Sequence, residues 1–237
     1  MTDEAPYLSL IIPAYNECRR IAATVEQVRG FVKLHGWIYE IIVVDDGSTD
    51  QTSKAVPTDD CVRVISYQPN RGKGYAVRQG MLASRGEYVA FSDADLSAPI
   101  EELTKLFDAI KSGAEVAIGS RAMAKSELLL RQPFYRELGG KALNLIIQLL
   151  AVRGIHDTQC GFKLFRGGVA RKIFKECILD GWGFDVEALY LTRKLGYSIA
   201  EIPVKWSHDA DSKISPFSAG LQVLKDLLRI RLHRYQI

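Results

Sequence analysis

The sequence predicts an α/β protein in which a mainly parallel central sheet is flanked by helices. The first observation behind this prediction is that short apolar runs alternate with segments of helical spacing along the first half of the chain. The second is that polar, acid-rich loops follow directly after several of these runs, as at the carboxyl edge of a parallel sheet. The 237 residues, of which 47% are hydrophobic and 25% charged, are enough for a packed core.

The first half contains five predicted strands separated by helices or loops. The strands are Leu8–Ile12, Glu40–Val44, Val62–Tyr67, Tyr88–Phe91 and Val116–Ile118. Each is a short apolar run of the kind that is buried in a parallel sheet. Pro13 is expected to stop the first strand, because proline has no backbone N–H for the ladder. The predicted helices are Ile21–Leu34, Gly74–Ala83 and Pro99–Lys111.

The second half of the chain is less regular. Its predicted elements are an apolar helix at Leu138–Leu150, a helix at Phe184–Lys194, a strand at Ile199–Val204 and a basic amphipathic helix from Phe217 to the end. No repeat, low-complexity tract or linker divides the sequence. We therefore expect a single domain covering residues 1–237.

Composition excludes several classes of protein. The net charge of +3 is too small for a nucleic-acid binder, and no basic tract with interleaved aromatic residues is present. The four cysteines form no C-x-x-C pair, so we expect reduced thiols in a cytoplasmic protein and no thiolate metal site. The acidic start does not resemble a signal peptide, and no uncharged run reaches the ~18 apolar residues that span a bilayer.

The most informative motif is a pair of acids, Asp93 and Asp95, just after the fourth predicted strand. Alternate side chains of an extended chain share a face, so the two carboxylates can point at one position. Like charges held together favour a cation between them. Carboxylate oxygens favour a hard divalent ion, Mg²⁺ or Mn²⁺, and such ions commonly accompany phosphates. The alternative is a pair of solvated loop acids.

Three further polar loops follow predicted strands, and one glycine-rich loop lies between two of them. The polar loops are Pro13–Glu17, Asp45–Asp50 and Gly119–Arg121, and the glycine-rich loop is Asn70–Gly74. Taken singly, the polar loops could be helix caps or turns. The glycine-rich loop matches neither a P-loop nor a dinucleotide fingerprint. Its backbone N–H groups and Lys73 can still face an anion at a helix N-terminus.

These motifs together resemble the inverting nucleotide-sugar glycosyltransferases that have a GT-A fold. Within that family, the chain resembles the branch that transfers a sugar to a polyprenyl or dolichyl phosphate. The segments that carry the branch resemblance are Asp157–Phe165, Trp182–Glu187, Val204–Trp206 and Ser212–Ile214. One related branch has a glutamine where this chain has Ser97, so a third metal ligand at that position is not expected. The similarity covers nearly the whole chain.

The resemblance implies a role for each matching residue. Residues 1–122 would form the nucleotide-sugar half and residues 123–237 the acceptor half. The residues expected to bind the nucleotide sugar are Pro13, Tyr15, Glu17, Val44, Asp46, Lys73, Asp93, Ala94 and Arg121. Asp46 would accept a hydrogen bond from the N3–H of uracil, which cytosine lacks, and this favours a UDP donor. Asp93 and Asp95 would hold Mg²⁺ or Mn²⁺ against the diphosphate, which makes Asp95 catalytic as well as a metal ligand.

The acceptor side needs positive charge more than it needs a base. A lipid monophosphate is already ionised near neutral pH, because its second pKa is about 6. Arginine suits phosphate because it can donate two parallel hydrogen bonds. The candidates are Arg121, Arg131, Arg136 and Lys213, for each of which the alternative is a solvated surface charge. Asp157 could be a base, an orienter of the acceptor, a metal-site neighbour or a simple cap; orientation is the preferred interpretation.

A lipid acceptor also implies contact with a membrane surface. In the last predicted helix the apolar residues recur at helical spacing: Phe217, Leu221, Leu224, Leu228, Leu232 and Tyr235. Four basic residues lie off that line: Lys225, Arg229, Arg231 and Arg234. This pattern is typical of a helix lying on anionic lipid. The apolar helix Leu138–Leu150 is a second candidate contact. For both helices the alternative is packing onto the core or onto a second copy of the chain.

The expected function is inverting transfer of glucose from UDP-glucose to a polyprenyl phosphate, dolichyl or undecaprenyl, at the cytoplasmic face of a membrane. Three alternatives remain open on the sequence alone. The donor could carry another sugar or be GDP-mannose. The acceptor could be soluble or a polysaccharide. The chain could also be an inactive module that only binds a sugar nucleotide.

Overall fold

The computed structural model describes residues 5–123, 126–130, 143–207 and 216–236. Its main sheet has seven strands in the order β3-β2-β1-β4-β7-β5-β8. These strands are β1 Leu8–Ala14, β2 Tyr39–Asp45, β3 Val62–Ser66, β4 Tyr88–Ser92, β5 Val116–Ser120, β7 Phe162–Arg166 and β8 Ile199–Pro203. Every neighbouring pair is parallel except the two pairs that β7 makes. The predicted mainly parallel sheet is therefore confirmed.

Helices cover both faces of this sheet. They are α1 Ile21–Leu34, α2 Thr52–Ala55, α3 Lys73–Ala83, α4 Leu103–Lys111, α5 at 143–150, α6 Gly167–Glu176, α7 Phe184–Lys194 and α8 Pro216–Leu232. A short 3₁₀ turn, Ile100–Glu102, precedes α4. Strands β6 Glu127–Leu130 and β9 Lys205–Ser207 form a separate parallel ribbon. Of the predicted apolar helix Leu138–Leu150, residues 138–142 lie outside the described residues.

The alternation of side chains along the strands produces two hydrophobic cores. In β1, Leu10 and Ile12 pack with α1 and α4 on one face of the sheet. Ile11, between them, packs on the other face with α3, α6, α7 and α8. This is the two-fold periodicity of an extended chain whose faces are both covered. The paired cores fix the register of the sheet and hence the positions of the loops at its edge.

One sequence prediction about strands was wrong, and one strand was missed. Pro13 does not stop β1, because the β1–β4 pairing has already ended at the pair Ile11–Phe91 and pairing with β2 continues to Ala14. Strand β7 was not predicted at all, yet it lies antiparallel between β4 and β5. Lys163 interrupts its apolar run, so the pattern did not indicate a buried strand. Helix α6, which follows it directly, was also missed.

The C-terminal helix α8 packs against the core through a face that the sequence pattern did not select. Val223, Leu227 and Ile230 are buried, whereas Leu228 and Leu232 are exposed. The helical spacing was correct, but the buried stripe lies beside the predicted apolar line. Among the residues that the structure describes, no helix combines the length and apolar character needed to cross a bilayer.

Candidate active site

The parallel strands bring the predicted functional loops to one side of the sheet. The loops follow β1, β2, β4 and β5. Because the carboxyl ends of parallel strands lie at the same edge, residues far apart in sequence become neighbours there. Strand β7 runs the opposite way, so its beginning, and the segment before it, also reach this edge. This places the Asp157–Phe165 segment beside the acidic pair.

The loops after β1 and β2 are tied together by hydrogen bonds. Asn16 N–H donates to Ser48 Oγ at 2.9 Å, and Thr49 N–H donates to Asn16 Oδ1 at 2.8 Å. Glu17 N–H donates to Thr52 Oγ1 at 2.8 Å. Asn16 has a φ of 57°, a left-handed conformation that asparagine tolerates. These residues therefore join two loops to each other, which a helix-capping role would not require.

The predicted nucleotide-binding residues fall into two groups. Tyr15 is exposed, and Glu17 is partly exposed and pairs with Arg20 at 2.8 Å, so both are accessible to a ligand. Pro13 and Val44 are buried in the sheet, so their role in nucleotide binding stays a prediction that their side-chain burial does not favour. Pro13 is buried because β1 extends past the predicted end at Ile12, whereas Val44 was already placed in the second predicted strand. Ala94 is also buried, with its carbonyl oxygen accepting from the Thr24 hydroxyl.

Asp46 anchors the glycine-rich loop. Its carboxylate accepts hydrogen bonds from the backbone N–H groups of Arg71 and Gly72, both at 2.9 Å. It also accepts from Tyr67 Oη at 2.9 Å and from Asn70 Nδ2 at 2.8 Å. Four donors fill the acceptor capacity of a carboxylate. In this arrangement a uracil N3–H would have to compete with these four donors for Asp46, and the nucleotide contact of Asp46 stays a prediction.

Asp93 and Asp95 lie together just past the end of β4, as predicted. Burial, and then the negative charge of Asp93, raise the pKa of Asp95. Asp95 Oδ1 accepts from Ser97 N–H at 2.9 Å. Asp93 Oδ1 lies 2.5 Å from Lys73 Nζ. Lys73 begins α3, so the glycine-rich loop delivers its ammonium group directly to the acidic pair.

The donor set fits a divalent metal ion that is shared with a substrate. Within the described ranges, no group of three or more His, Cys, Asp or Glu residues is placed to hold a metal. Asp93 and Asp95 are the two hard carboxylate ligands that the described residues offer at this edge. Magnesium is commonly bound in this way, through one or two carboxylates plus substrate phosphates.

Arg121 and Asp157 form a second ion pair at the same edge. Arg121 donates to Asp157 from its backbone N–H at 2.9 Å, from Nε at 2.7 Å and from a terminal nitrogen at 2.8 Å. Burial opposes ionisation of Asp157, but the charge and hydrogen bonds of Arg121 lower its pKa on balance. A carboxylate committed in this way is a poor proton acceptor. The geometry of the Arg121–Asp157 pair is consistent with the role preferred in the sequence analysis, in which Asp157 orients the acceptor.

A buried ion pair beneath these residues was missed by the sequence analysis. Lys163, on β7, is fully buried and donates to Asp185 and, at 2.6 Å, to the carbonyl oxygen of Cys160. Asp185 lies at the start of α7 and is also buried. Lys163 and Asp185 lie in two of the segments that carry the branch resemblance, Asp157–Phe165 and Trp182–Glu187. The signal that could have identified them is a charged residue inside an otherwise apolar run, which is tolerated in a core only when it is paired.

Three predicted acceptor residues, Arg131, Arg136 and Lys213, lie outside the described residues. Arg121 is the predicted acceptor cation that the structure describes. Its guanidinium lies over the ring of Trp206, 5.4 Å from the centroid. Trp206 belongs to β9, whose last residue, Ser207, donates its N–H to Ser97 O at 2.8 Å. The ribbon strand therefore links the Arg121 side of the edge to the acidic pair.

The fold and this site define a nucleotide-sugar transferase, and comparison with known proteins agrees. Residues 9–174 match the family described as Glycosyl transferase family 2, so the chain belongs to that family. The GT-A fold predicted by resemblance is confirmed by solved structures. One is glucosyl-3-phosphoglycerate synthase from Mycobacterium tuberculosis with Mn²⁺, UDP-glucose and phosphoglyceric acid: TM-score 0.70, 20% identity, covering 95% of this chain and 79% of that one.

Two relatives that are 38–39% identical to this chain share one name. The chain is 39% identical to the dolichyl-phosphate β-glucosyltransferase of Dictyostelium discoideum, over 95% of this chain and 74% of that protein. It is 38% identical to the Homo sapiens protein of the same name, over 95% of this chain and 75% of that protein. The resemblance to the dolichyl-phosphate branch, stated from the motifs, is therefore confirmed.

Proposed function

We propose that this protein transfers glucose from UDP-glucose to the phosphate of a polyprenyl lipid such as dolichyl phosphate, with inversion at the anomeric carbon. The observation that carries the proposal is the presence of two cation–carboxylate pairs at one sheet edge, Lys73 with Asp93 and Arg121 with Asp157. The first suits a donor diphosphate and the second an acceptor phosphate. The names of relatives at 37–39% identity support the choice of glucose and of dolichyl phosphate.

In the proposed reaction, an oxygen of the lipid phosphate attacks C1 of glucose from the face opposite UDP. The bond from C1 to the diphosphate oxygen breaks, and its electron pair leaves with UDP. The acceptor is already ionised near neutral pH, so no side chain has to remove a proton. The engagement of Asp157 with Arg121 agrees with this, because the reaction then needs Asp157 as a support and not as a base.

The reaction brings two anions together, and positive charge must hold them. Lys73 lies at the N-terminus of α3, where helix N–H groups also favour an anion, and we assign it to the donor diphosphate. Arg121 is assigned to the region between donor and acceptor phosphates. Arg131, Arg136 and Lys213 are proposed as further acceptor contacts from the sequence. A Mg²⁺ or Mn²⁺ ion held by Asp93 and Asp95 would neutralise charge on the leaving diphosphate.

We also propose that the protein meets its lipid substrate at a membrane surface through α5 and α8. Leucine side chains on both helices are exposed: Leu145, Leu149, Leu228 and Leu232. The basic residues Lys225, Arg229, Arg231 and Arg234 are exposed on or just after α8. Apolar side chains flanked by basic ones favour the surface of an anionic bilayer. A lipid acceptor requires such contact, and the association proposed here is peripheral.

The test is a donor screen with a short polyprenyl phosphate. Labelled UDP-glucose, GDP-mannose and other UDP-sugars are each incubated with the protein and Mn²⁺, and label in extracted lipid is measured. We expect lipid labelling from UDP-glucose in preference to the others, and its loss in EDTA. Preference for another donor would reassign the sugar. Labelling of a soluble acceptor alone would contradict the lipid proposal, and donor binding without UDP release would indicate an inactive binding module.

A further inference from the structure

The backbone on either side of Lys73 is held by close packing. The glycines on either side of it are packed against the segment that precedes α7. A Cβ added at Gly72 would meet the carbonyl oxygen of Asp180 at 2.5 Å, and one at Gly74 would meet that of Leu179 at 2.7 Å. The loop is therefore fixed, and the ammonium group can change position only by rotation of the flexible lysine stem.

Carboxylates attract this ammonium group from more than one direction. Asp93 Oδ1 is 2.5 Å away, and the charges of Asp185 and Asp95 also act on Lys73. Asp185 is itself held by Lys163, so three carboxylates share two ammonium groups. The negative charge that would attract a bare divalent ion is therefore already largely balanced within the protein.

We propose that Lys73 is an internal counter-ion of Asp93, which a divalent metal ion must displace, so that the metal binds strongly only together with a nucleotide diphosphate. This inference rests on the donor site proposed above. A metal ion arriving alone would have to share Asp93 with a cation or leave that cation without a partner. A metal ion arriving with a diphosphate brings a new anion, onto which Lys73 can swing while Asp93 turns to the metal.

The proposal makes two opposite predictions for one substitution. Replacing Lys73 with glutamine keeps a side chain of similar reach but removes the competing charge. In Lys73→Gln, Mn²⁺ alone should bind about tenfold more tightly than in the wild type, because the acidic pair has lost its counter-ion. UDP, measured in saturating Mn²⁺, should bind more weakly, because the diphosphate has lost a cation. A purely structural role for Lys73 would weaken both.

Isothermal titration calorimetry measures both quantities on the full chain. The matched control is Lys105→Gln. It removes a lysine on α4 from its ion pair with Glu102, in which the ammonium nitrogen and a carboxylate oxygen lie 2.6 Å apart. It changes the net charge equally, and both affinities should match the wild type. Lys73→Arg is the second variant and keeps the charge. Lys73→Arg should bind Mn²⁺ alone no more tightly than the wild type does. This measurement tests the counter-ion role even if the glutamine variant does not fold.

The outcomes separate this inference from the proposed function. Unchanged or weakened binding of Mn²⁺ alone in folded Lys73→Gln would overturn the counter-ion role, as would tightened binding in Lys73→Arg. Wild-type UDP binding that is indifferent to Mn²⁺ would instead contradict the metal-dependent donor site itself. Tightened metal binding combined with weakened UDP binding in Lys73→Gln supports both.

Discussion

One ion pair at the sheet edge, Lys73 with Asp93, lies within the donor half, whereas the other, Arg121 with Asp157, joins the donor half to the acceptor half, and the two pairs are built differently. Lys73 meets Asp93 through a single ammonium group, and the two side chains remain 17% and 32% exposed. Arg121 donates three hydrogen bonds to Asp157; the Arg121 side chain is 30% exposed and that of Asp157 only 8%. A single contact can exchange partners during a reaction. A bidentate contact to a buried carboxylate is a fixed support.

The largest difference between the pairs should appear in stability. Asp157→Asn leaves the partly buried Arg121 with a neutral partner, and we expect a loss of about 3 kcal/mol in the free energy of unfolding, the lower end for breaking a buried pair. Asp93→Asn should cost about 1 kcal/mol, the upper end for a pair that keeps contact with solvent. Urea denaturation measures both, with Asp108→Asn on the exposed face of α4 as the control. Equal losses would remove the distinction.

The second prediction uses pH to test the Arg121–Asp157 pair. Folding lowers the pKa of Asp157, because Arg121 outweighs the effect of burial. Stability from a lowered carboxyl pKa is present above the unfolded pKa, about 3.9, and is lost as pH falls through the folded pKa. The stability difference between wild type and Asp157→Asn should therefore be constant from about pH 5 to 7 and shrink below about pH 4. A difference that grows with acid would contradict the assignment.

The halves also differ in how much of them the sequence could predict. Strands β1, β2, β4 and β5 were found because each contains three or more consecutive apolar residues, and β3 was found although Arg63 interrupts it. Asp93 and Asp95 were found because their spacing is itself the signal. Strand β7 was missed because Lys163 interrupts it. The partner that makes Lys163 acceptable in a core, Asp185, lies 22 residues further along the chain. A pairing between distant residues leaves no periodic pattern, so the inserted strand was not visible.

The roles of individual site residues depended on similar long-range contacts. Asp46 has the residue type of a base reader, but the loop that saturates it begins 21 residues later, at Tyr67. For α8, the helical period was correct, whereas the choice of buried stripe depended on where α7 and the core lie. The sequence therefore predicted which functional groups lie at the sheet edge, whereas tertiary packing decides which of their atoms remain free to bind a ligand.

A third prediction tests the junction where the second half touches the acidic pair. Gly161 accepts the N–H of Asp93 at 3.2 Å, and a Cβ at Gly161 would collide with the Asp93 carboxylate. Gly161→Ala should therefore displace Asp93 and weaken UDP binding in Mn²⁺ by roughly tenfold, although its position is in the acceptor half. Gly168→Ala is the matched control, because a Cβ there meets nothing within 4 Å. Titration calorimetry compares the two; equal affinities would show that Asp93 can relax.

The smallest effect on stability is expected on the outer surface of α8, where the halves should differ in their contact with lipid. Leu228 and Leu232 are 61% and 80% exposed, so replacing both with serine should change the free energy of unfolding by no more than about 0.5 kcal/mol. Each leucine contributes up to roughly 1.5–3 kcal/mol when fully buried. Even partial insertion into a bilayer would therefore make the double variant bind anionic vesicles at least about tenfold more weakly.

The control for this comparison comes from the donor half. Leu34 on α1 and Leu82 on α3 are also exposed leucines, and neither belongs to the proposed lipid surface. Serine at both positions should leave vesicle sedimentation at the wild-type level. A loss in the Leu228 and Leu232 variant alone, together with weakening by salt, supports a lipid contact on the acceptor half, where four exposed basic residues surround the leucines. Equal losses in the two variants would mean that vesicles bind exposed leucines without selectivity. Unchanged binding in both would assign the outer surface of α8 to another partner, such as a second copy of the chain.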